Sequence, residues 1–269
     1  TNLFYYAVSE PAMSHVYSFA FVSVFLFYAQ KYFAEFNIKY IPLLGAVLGM
    51  IVLIRPVNGM IVLALPFMAG NFDTLRKGMA GIFRAKGSLL LAAVLFFAII
   101  SIQLIIYKIS AGRFFVYSYG EEGFQFLSPH MIDILFSYRK GLFLYTPVYL
   151  VSLTGLVFLW KSRRFELFAW IGFFLFITWI LSSWWMWYYG GSFSGRVYVE
   201  YLPVFMILLA IALDKISKKS WKRIFVSVLV LLVILCQVQT YQYRYNQIHW
   251  SEMNKEKYWD VFLRIDKLK

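Results

Sequence analysis

The sequence contains few charged residues for its length. Only 14% of its 269 residues are Asp, Glu, Lys or Arg, whereas about 25% is usual in soluble chains. Hydrophobic residues make up 61% and aromatic residues 21%. So few charges cannot cover a water-exposed surface, which excludes a soluble globular enzyme, and the many apolar residues exclude a disordered chain. We therefore expect an integral membrane protein.

Cysteine is nearly absent as well. The single cysteine, Cys236, excludes any internal disulfide and hence a scaffold built on disulfides. It lies inside the apolar run 224–243, where we expect an inert residue that faces lipid or a neighbouring helix.

The net charge of +13 raises the question of nucleic-acid binding. The basic residues are spread between apolar runs rather than gathered on one patch, so we predict no nucleic-acid partner. Membrane insertion retains Lys and Arg on the cytoplasmic side, which orients the chain. The loops predicted to be cytoplasmic are 31–39, 73–87, 161–166 and 214–223, and those predicted to be extracytoplasmic are 109–140, 184–196 and the tail after 243.

Charge-free stretches locate the expected membrane helices. A helix of about 20 apolar residues crosses the hydrocarbon layer of a bilayer. Apolar runs, most of them near this length, with 167–195 longer and 201–213 shorter, predict an all-α, polytopic transmembrane helix bundle of about six to eight membrane helices over residues 1–245. An extracytoplasmic amphipathic tail is predicted over residues 246–269. The runs are 11–30, 88–107, 141–160, 167–195, 201–213 and 224–243.

Residues 40–72 do not form one simple span. Two short apolar pieces flank Arg55, and Pro42, Pro56 and Pro66 interrupt them. This pattern predicts a short helical hairpin or a re-entrant pair with Arg55 near its tip. An arginine at such a break presents a planar charged fork that suits a phosphate. Alternatively, Arg55 extends from a plain turn to the lipid headgroups.

Two other segments predict small amphipathic helices. Residues 71–87 mix basic and apolar residues at helical spacing, and form either an interfacial helix or an ordinary basic connector. The chain begins without an initiator Met or a signal-peptide pattern, so we interpret it as the carboxy-terminal portion of a longer protein. In the tail, an apolar stripe predicts a helix on the outer face; its members are Tyr258, Val261, Phe262, Ile265 and Leu268.

Ionisable residues near membrane depth are candidates for function, because polar groups are costly there. Glu10 and His15 lie where the chain enters its first predicted span, and could serve as acid, base or sugar ligand. Alternatively, this is a capped helix start with Ser9 as the N-cap and Pro11 in the first turn.

The outer loop before residue 146 contains weaker candidates. A lone histidine among scattered carboxylates has no spacing that specifies a metal site, so we predict no metal ligand and no cofactor, with a divalent cation left open. The adjacent basic pair marks either an interface anchor or a ligand. These secondary candidates are His130, Arg139, Lys140 and Tyr145.

The strongest candidate is the segment 184–196, which reads WWMWYYGGSFSGR. An aromatic belt explains its rings but not its three glycines, nor Arg196 and Glu200 four residues apart at a helix entry. Glycines permit close approach to the backbone, and aromatic faces stack on sugar rings. Arg196 would bind phosphate, while Glu200 would hold that arginine in place or bind a hydroxyl.

Together with LIRPVN at 53–58 and GLFLYTP at 141–147, this segment resembles the GT-C class of membrane glycosyltransferases. The likeness is to protein-O-mannosyltransferase-like and related bacterial enzymes. Many of these carry a WWYGG-S-FG-R stretch followed by an acidic residue and Leu-Pro, an L-x-R-P-x-N break and a GL-x-x-Y-x-P helix start. The order and spacing of all three pieces fit. One departure is Ser194, where the family more often has glycine.

The resemblance implies transfer of a sugar from a polyprenyl-phosphate carrier to an acceptor hydroxyl on the extracytoplasmic face of a bacterial cytoplasmic membrane. It implies a catalytic carboxylate in an outer loop that would precede Thr1, so this portion alone is expected to be inactive. It also implies donor-phosphate contacts from Arg55 and Arg196. The sugar or acceptor pocket would comprise Glu10, His15, Trp187, Tyr188, Tyr189, Gly190, Gly191 and Glu200.

Two other classes of protein stay open. A transporter or lipid flippase also uses broken helices like that at Arg55, although the sequence shows no inverted repeat. A polymerase or ligase of surface polysaccharide is a further alternative, although the loop 109–140 is short for one.

Overall fold

The computed structural model describes residues 1–117, 119–264 and 266. Within these residues the chain is helical, with an antiparallel bridge between Phe124 and Trp184 and two 3₁₀ helices, Pro56–Ala64 and Arg196–Tyr198. The α-helices in chain order are α1 (Asn2–Val8), α2 (Ser14–Glu35), α3 (Tyr40–Ile54), α4 (Leu65–Ala69), α5 (Phe72–Arg84), α6 (Lys86–Ala111), α7 (Met131–Phe136), α8 (Leu142–Tyr145), α9 (Val148–Ser152), α10 (Thr154–Ser162), α11 (Arg164–Ser182), α12 (Leu202–Lys215), α13 (Lys219–Arg244) and α14 (Lys255–Val261).

The chain divides into two compact units. The first unit consists of Thr1–Val16, Phe124–Lys161 and Leu175–Lys269, and the second of Tyr17–Gly123 and Ser162–Phe174. Of the predicted site residues, Arg55 belongs to the second unit and the others belong to the first. The predicted boundary between a bundle and a tail at residue 245 stays a prediction.

Three of the described helices, α6, α11 and α13, are long and apolar enough to cross a membrane. They contain the predicted runs 88–107 and 224–243 and the first half of 167–195. Only 6% of the most apolar stretch of α6 is buried inside the protein. The remaining apolar surface would be shielded from water only by contact with lipid. The described residues thus confirm a helical fold with three helices that are long and apolar enough to cross a membrane, and six to eight spans stay a prediction.

The predicted span 141–160 is not one continuous helix, because the chain breaks there into α8, α9 and α10. Pro147 has no N–H to donate, and its ring disfavours a helical conformation in the preceding residue. Thr146 accordingly has φ −136° and ψ 67°. At the second break, the hydroxyls of Ser152 and Thr154 donate to carbonyls three residues earlier, and such bonds compete with the helical ladder.

Residues 40–72 fold back on themselves. The helix α3 ends where Arg55 is extended, with φ −151° and ψ 109°, because a proline follows it. The 3₁₀ helix and α4 lead back, so that Ile41 near the start of α3 and Ala69 at the end of α4 lie in one apolar cluster with Ala92. The segment is therefore a helical hairpin in shape with Arg55 at its turn, as both interpretations predict, and whether it crosses a membrane or re-enters it stays a prediction.

Two glycines let α3 pack closely against α6. A Cβ built on Gly45 would lie 2.5 Å from the carbonyl oxygen of Ala92, and one built on Gly49 would lie 3.2 Å from the Cα of Phe96. Small residues four apart on one helix face allow two backbones to approach in this way, a common packing mode in membranes. This face holds the hairpin against α6.

Two shorter helices begin at asparagine caps. The side chain of Asn71 accepts from the backbone N–H of Thr74 at the start of α5, and Asn254 accepts from Lys257 at the start of α14. Both helices occur where the amphipathic patterns predict them. Their places on the inner and outer membrane surfaces stay predictions.

The tail helix α14 is tied to α13 by two side-chain amides. Gln239 Nε2 donates to the hydroxyl of Tyr258 at 2.9 Å, and Gln242 Nε2 donates to the carbonyl of Val261 at 2.5 Å. Tyr258 is buried, so the predicted apolar stripe packs inward at this position. Two other members of that stripe, Ile265 and Leu268, lie outside the described residues.

We expect Gly45→Ala to lower the melting temperature, because its methyl group would meet the backbone of α6 rather than a side chain that can move. Overpacking of this kind costs about 1–3 kcal/mol. Thermal unfolding of the purified protein in detergent measures the effect. Gly172→Ala in α11 is the matched control, since nothing lies within 4 Å of its added Cβ. An unchanged midpoint for Gly45→Ala would show that the two helices do not pack through this face.

Candidate functional site

The segment after α11 turns through a glycine loop, defined here as residues 189–195. Tyr189, Gly190 and Ser194 have left-handed φ values of 55°, 61° and 56°. This conformation is free for glycine but costs about 1–2 kcal/mol for a residue with a Cβ. The Tyr189 hydroxyl donates to the carbonyl of Leu181 at 2.7 Å, which fastens the loop to the end of α11.

Lys140 holds the glycine loop from inside. Its Nζ donates to the carbonyls of Gly190 and Ser192, both at 2.5 Å, and to the hydroxyl of Ser192 at 2.8 Å. The lysine is 3% exposed, so these three acceptors replace the water that it has lost. They fix the path of the loop backbone, which makes Lys140 more than the interface anchor that was one of its two predicted roles.

The surroundings of Lys140 disfavour the protonated, positively charged form of its amino group. Burial lowers the pKa of its ammonium to about 6, and the positive charges of Arg196 and Arg139 act in the same direction. The carboxylate of Glu10 acts against them. Two arginines and one carboxylate therefore lie within electrostatic range of the Lys140 amino group.

Arg196 follows the glycine loop and is half-buried. Its Nη1 makes two long contacts, to the Gly191 carbonyl at 3.5 Å and to Met13 Sδ at 3.8 Å. Among the described residues its Nε is buried without a hydrogen-bond partner. A guanidinium has five N–H donors, so this arginine retains most of its capacity to bind an anion.

Two tyrosines of α1 connect Glu10 to the loop. The Tyr5 hydroxyl donates to Glu10 Oε1 at 2.7 Å, while Glu10 Oε2 is buried with no hydrogen-bond partner in the described part of the chain. The Tyr6 hydroxyl donates to the carbonyl of Phe193 at 2.8 Å and accepts from its N–H at 3.0 Å. Burial raises the pKa of Tyr6, Arg196 opposes this shift and Glu10 reinforces it, so the hydroxyl stays protonated between the two charges.

His15 and Glu200 form a buried pair. His15 Nδ1 lies 3.0 Å from Glu200 Oε1, and the two side chains are 3% and 0% exposed. The predicted placement of Arg196 and Glu200 on one α-helix face is wrong, because Arg196–Tyr198 is a 3₁₀ turn and α12 begins only at Leu202. The glutamate therefore supports the site through His15, whose ring packs against Tyr6 at 5.5 Å.

The interpretation of residues 9–15 as a capped helix start is also wrong. Ser9 follows α1 as its C-terminal cap, and α2 begins at Ser14. Glu10 lies in the turn between the two helices, where the Met13 N–H donates to its carbonyl at 3.0 Å. The turn leaves the Glu10 carboxylate free to face Tyr5 rather than to cap a helix.

Arg139 contacts the aromatic residues that precede the glycine loop. The Arg139 guanidinium stacks on the Tyr188 ring at 3.5 Å, and its Nε donates to the Ser251 carbonyl at 2.7 Å. Trp187 stacks with His130 at 5.7 Å between ring centroids. These contacts hold the two aromatic residues that directly precede the glycine loop.

The remaining predicted residues have structural partners. His130 Nδ1 lies 2.9 Å from Asp133 Oδ2, and the buried Tyr145 donates to the Tyr138 carbonyl at 2.6 Å. No three His, Cys, Asp or Glu side chains within the described ranges come together as a metal site. Arg55 is at the turn of the hairpin in the second unit, where the Asn58 N–H donates to its carbonyl at 2.9 Å. A shared role for Arg55 and Arg196 stays a prediction.

Sequence reasoning missed four residues of this site. Tyr5 and Tyr6 lie in a short helix before the first predicted span, and Ser192 is one small residue in a glycine-rich loop. Tyr243, at the end of α13, packs edge-on against Tyr5 at 5.4 Å. No local pattern singles out these four residues, because the contacts that bring Tyr5, Tyr6 and Tyr243 to the loop join distant parts of the chain.

The folding stability of the protein should depend on pH through Lys140. Between the folded pKa of about 6 and the ordinary lysine value of 10.5, the unfolded chain binds more protons, so stability rises with pH across this window. Lys140→Met should remove that rise in melting temperatures recorded from pH 6 to 9 in detergent. Lys161→Met, an exposed lysine of α10, should keep it. An equal slope in both variants would rule out the buried ammonium as the cause.

Comparison of the chain with protein-family models, with curated proteins and with solved structures finds no match. The central feature of the first unit is the half-buried Arg196 guanidinium, which has unused N–H donors and follows a strained glycine loop.

Proposed function

We propose that this chain belongs to a membrane glycosyltransferase that moves a sugar from a polyprenyl-phosphate carrier to an acceptor hydroxyl on the extracytoplasmic face. The observation that carries the proposal is the Arg196 guanidinium, with its long contacts and its unpaired Nε. A cation of this kind suits a phosphate oxygen. The resemblance of the segment 184–203 to GT-C enzymes makes the carrier phosphate the proposed anion.

The chemistry of the reaction requires positive charge at this place. As the acceptor oxygen bonds to the anomeric carbon of the sugar, the bond from that carbon to the phosphate oxygen breaks and the phosphate leaves with its negative charge. Fixed cations and N–H donors stabilise such a developing charge. Arg196 would contact the phosphate directly. Lys140 would act by holding the loop, because its Nζ already donates to three acceptors.

Glu10 is proposed to bind a sugar hydroxyl. Its Oε1 accepts from Tyr5, and its Oε2 is buried without a partner among the described residues, so one carboxylate oxygen is available to accept a hydrogen bond. The rings of Tyr188 and Trp187 offer flat apolar faces of the kind on which sugars stack. The proton of the acceptor hydroxyl has to pass to a base, a role that the resemblance assigns to a carboxylate outside this chain.

Binding of a short prenyl phosphate tests the phosphate site without knowledge of the sugar. We expect Arg196→Ala to weaken the binding of farnesyl phosphate to the purified protein by roughly 10–100-fold, the usual value of hydrogen bonds to a charged group. Titration in detergent measures it. In a full-length enzyme the same change should lower sugar transfer by about 100-fold. Arg113→Ala, an exposed arginine of the predicted outer face, should change neither. Wild-type binding and turnover in Arg196→Ala would contradict the proposal.

Cysteine labelling tests the predicted face. Leu127 is fully exposed and Ser220 is exposed, while the native Cys236 is buried, so single introduced cysteines report cleanly. In intact cells a membrane-impermeant maleimide should label Leu127→Cys and not Ser220→Cys, which should react only after lysis. The reverse pattern would overturn the orientation.

A further inference from the structure

A groove opens in the first unit between the break that separates α9 from α10 and the start of α13. It has a volume of about 670 Å³. Its walls come from the loop that joins α12 to α13 and from three turns of α13. The residues that line it include Val151, Lys215, Lys218, Trp221, Phe225 and Val228.

The mouth of the groove is basic. Lys215 and Lys218 line it, and both are exposed. Asp214 lies 3.6 Å from Lys215, and the two side chains are 76% and 55% exposed, so water screens this pair. Lys219, Lys222 and Arg223 follow in the first turns of α13. The local charge therefore attracts an anion.

The body of the groove is apolar. Phe225, Val228 and Val151 line it beyond the lysines, and they lie along the part of α13 that is apolar enough to enter a membrane. Trp221, which is 61% exposed, lies between the basic and the apolar parts, where tryptophan is enriched at membrane–water interfaces. The groove thus changes from cationic to apolar within two turns of one helix, which fits an amphiphile with an anionic head.

We propose that this groove binds an anionic glycerophospholipid of the adjoining leaflet. The lipid phosphate contacts the ammonium groups of Lys215 and Lys218, and one acyl chain lies along Val151, Phe225 and Val228. Charge complementarity selects the head, and the apolar wall selects the chain. The site is separate from the glycine loop and does not rest on the proposed transferase activity.

Native mass spectrometry of the delipidated protein tests the proposal, with titration by palmitoyl-oleoyl phosphatidylglycerol and by the matching phosphatidylcholine. We expect the anionic lipid to bind more tightly. Lys215→Gln/Lys218→Gln should weaken it about tenfold or more, since each basic residue near an anionic surface contributes roughly fivefold. Val228→Trp, which fills the apolar wall without changing charge, should weaken both lipids.

The matched control is Lys222→Gln/Arg223→Gln, which removes the same charge from residues outside the groove lining. It should leave most of the preference for the anionic lipid intact. Equal losses in the two double variants would reduce the effect to diffuse surface charge and overturn the site. Equal affinity for both lipids would overturn it as well, and so would tighter binding of farnesyl phosphate through Lys215 and Lys218, which would assign the groove to an isoprenoid carrier.

Discussion

The buried amino group of Lys140 organises the glycine loop of the first unit. Lys140 donates to two carbonyls and a hydroxyl of the glycine loop, and the backbone of that loop bonds in turn to Tyr6 at Phe193. Inside a protein such bonds are stronger than in water, but each unpaired group costs more. Lys140 and Tyr6 therefore fix the path of the loop together, and with it the position of Arg196, which follows the loop directly.

The charges around the loop do not cancel. Arg196 and Arg139 both lower the pKa of Lys140, and Glu10 is the carboxylate that raises it. Fixed positive charges with low solvent exposure attract anions. This imbalance supports a phosphate ligand independently of sequence resemblance. The nearby phenol of Tyr6 stays neutral despite Arg196, because burial and Glu10 raise its pKa.

Composition and local pattern were enough for several helices and for the hairpin. The helices α6 and α13 could be located because long apolar runs have few alternatives to spanning a membrane, and the turn at Arg55 because proline restricts the residue before it. The breaks around Pro147 and Thr154 were missed, although Pro147 was a visible signal. Hydropathy counts apolar residues and does not register the backbone bonds that hydroxyl groups replace.

The candidate site was predictable only in part. The glycine loop and Arg196 stand out in sequence, because glycines and a lone arginine among tryptophans need a reason. The pairing of Glu200 with His15 joins residues that are 185 positions apart, and no local spacing encodes it. The spacing of four residues instead predicts a contact between Glu200 and Arg196. Such a spacing indicates contact only when both residues lie in one α-helix.

The amides that tie α14 to α13 make evolutionary change at the two helices interdependent. Gln239 donates to the hydroxyl of Tyr258 across a buried boundary, so replacing either partner alone strands a polar atom away from water, whereas replacing both with apolar residues of similar shape costs little. In lineages that descend from this sequence, leucine at the first position should accompany phenylalanine at the second. Positions 239 and 258 should therefore change together during evolution.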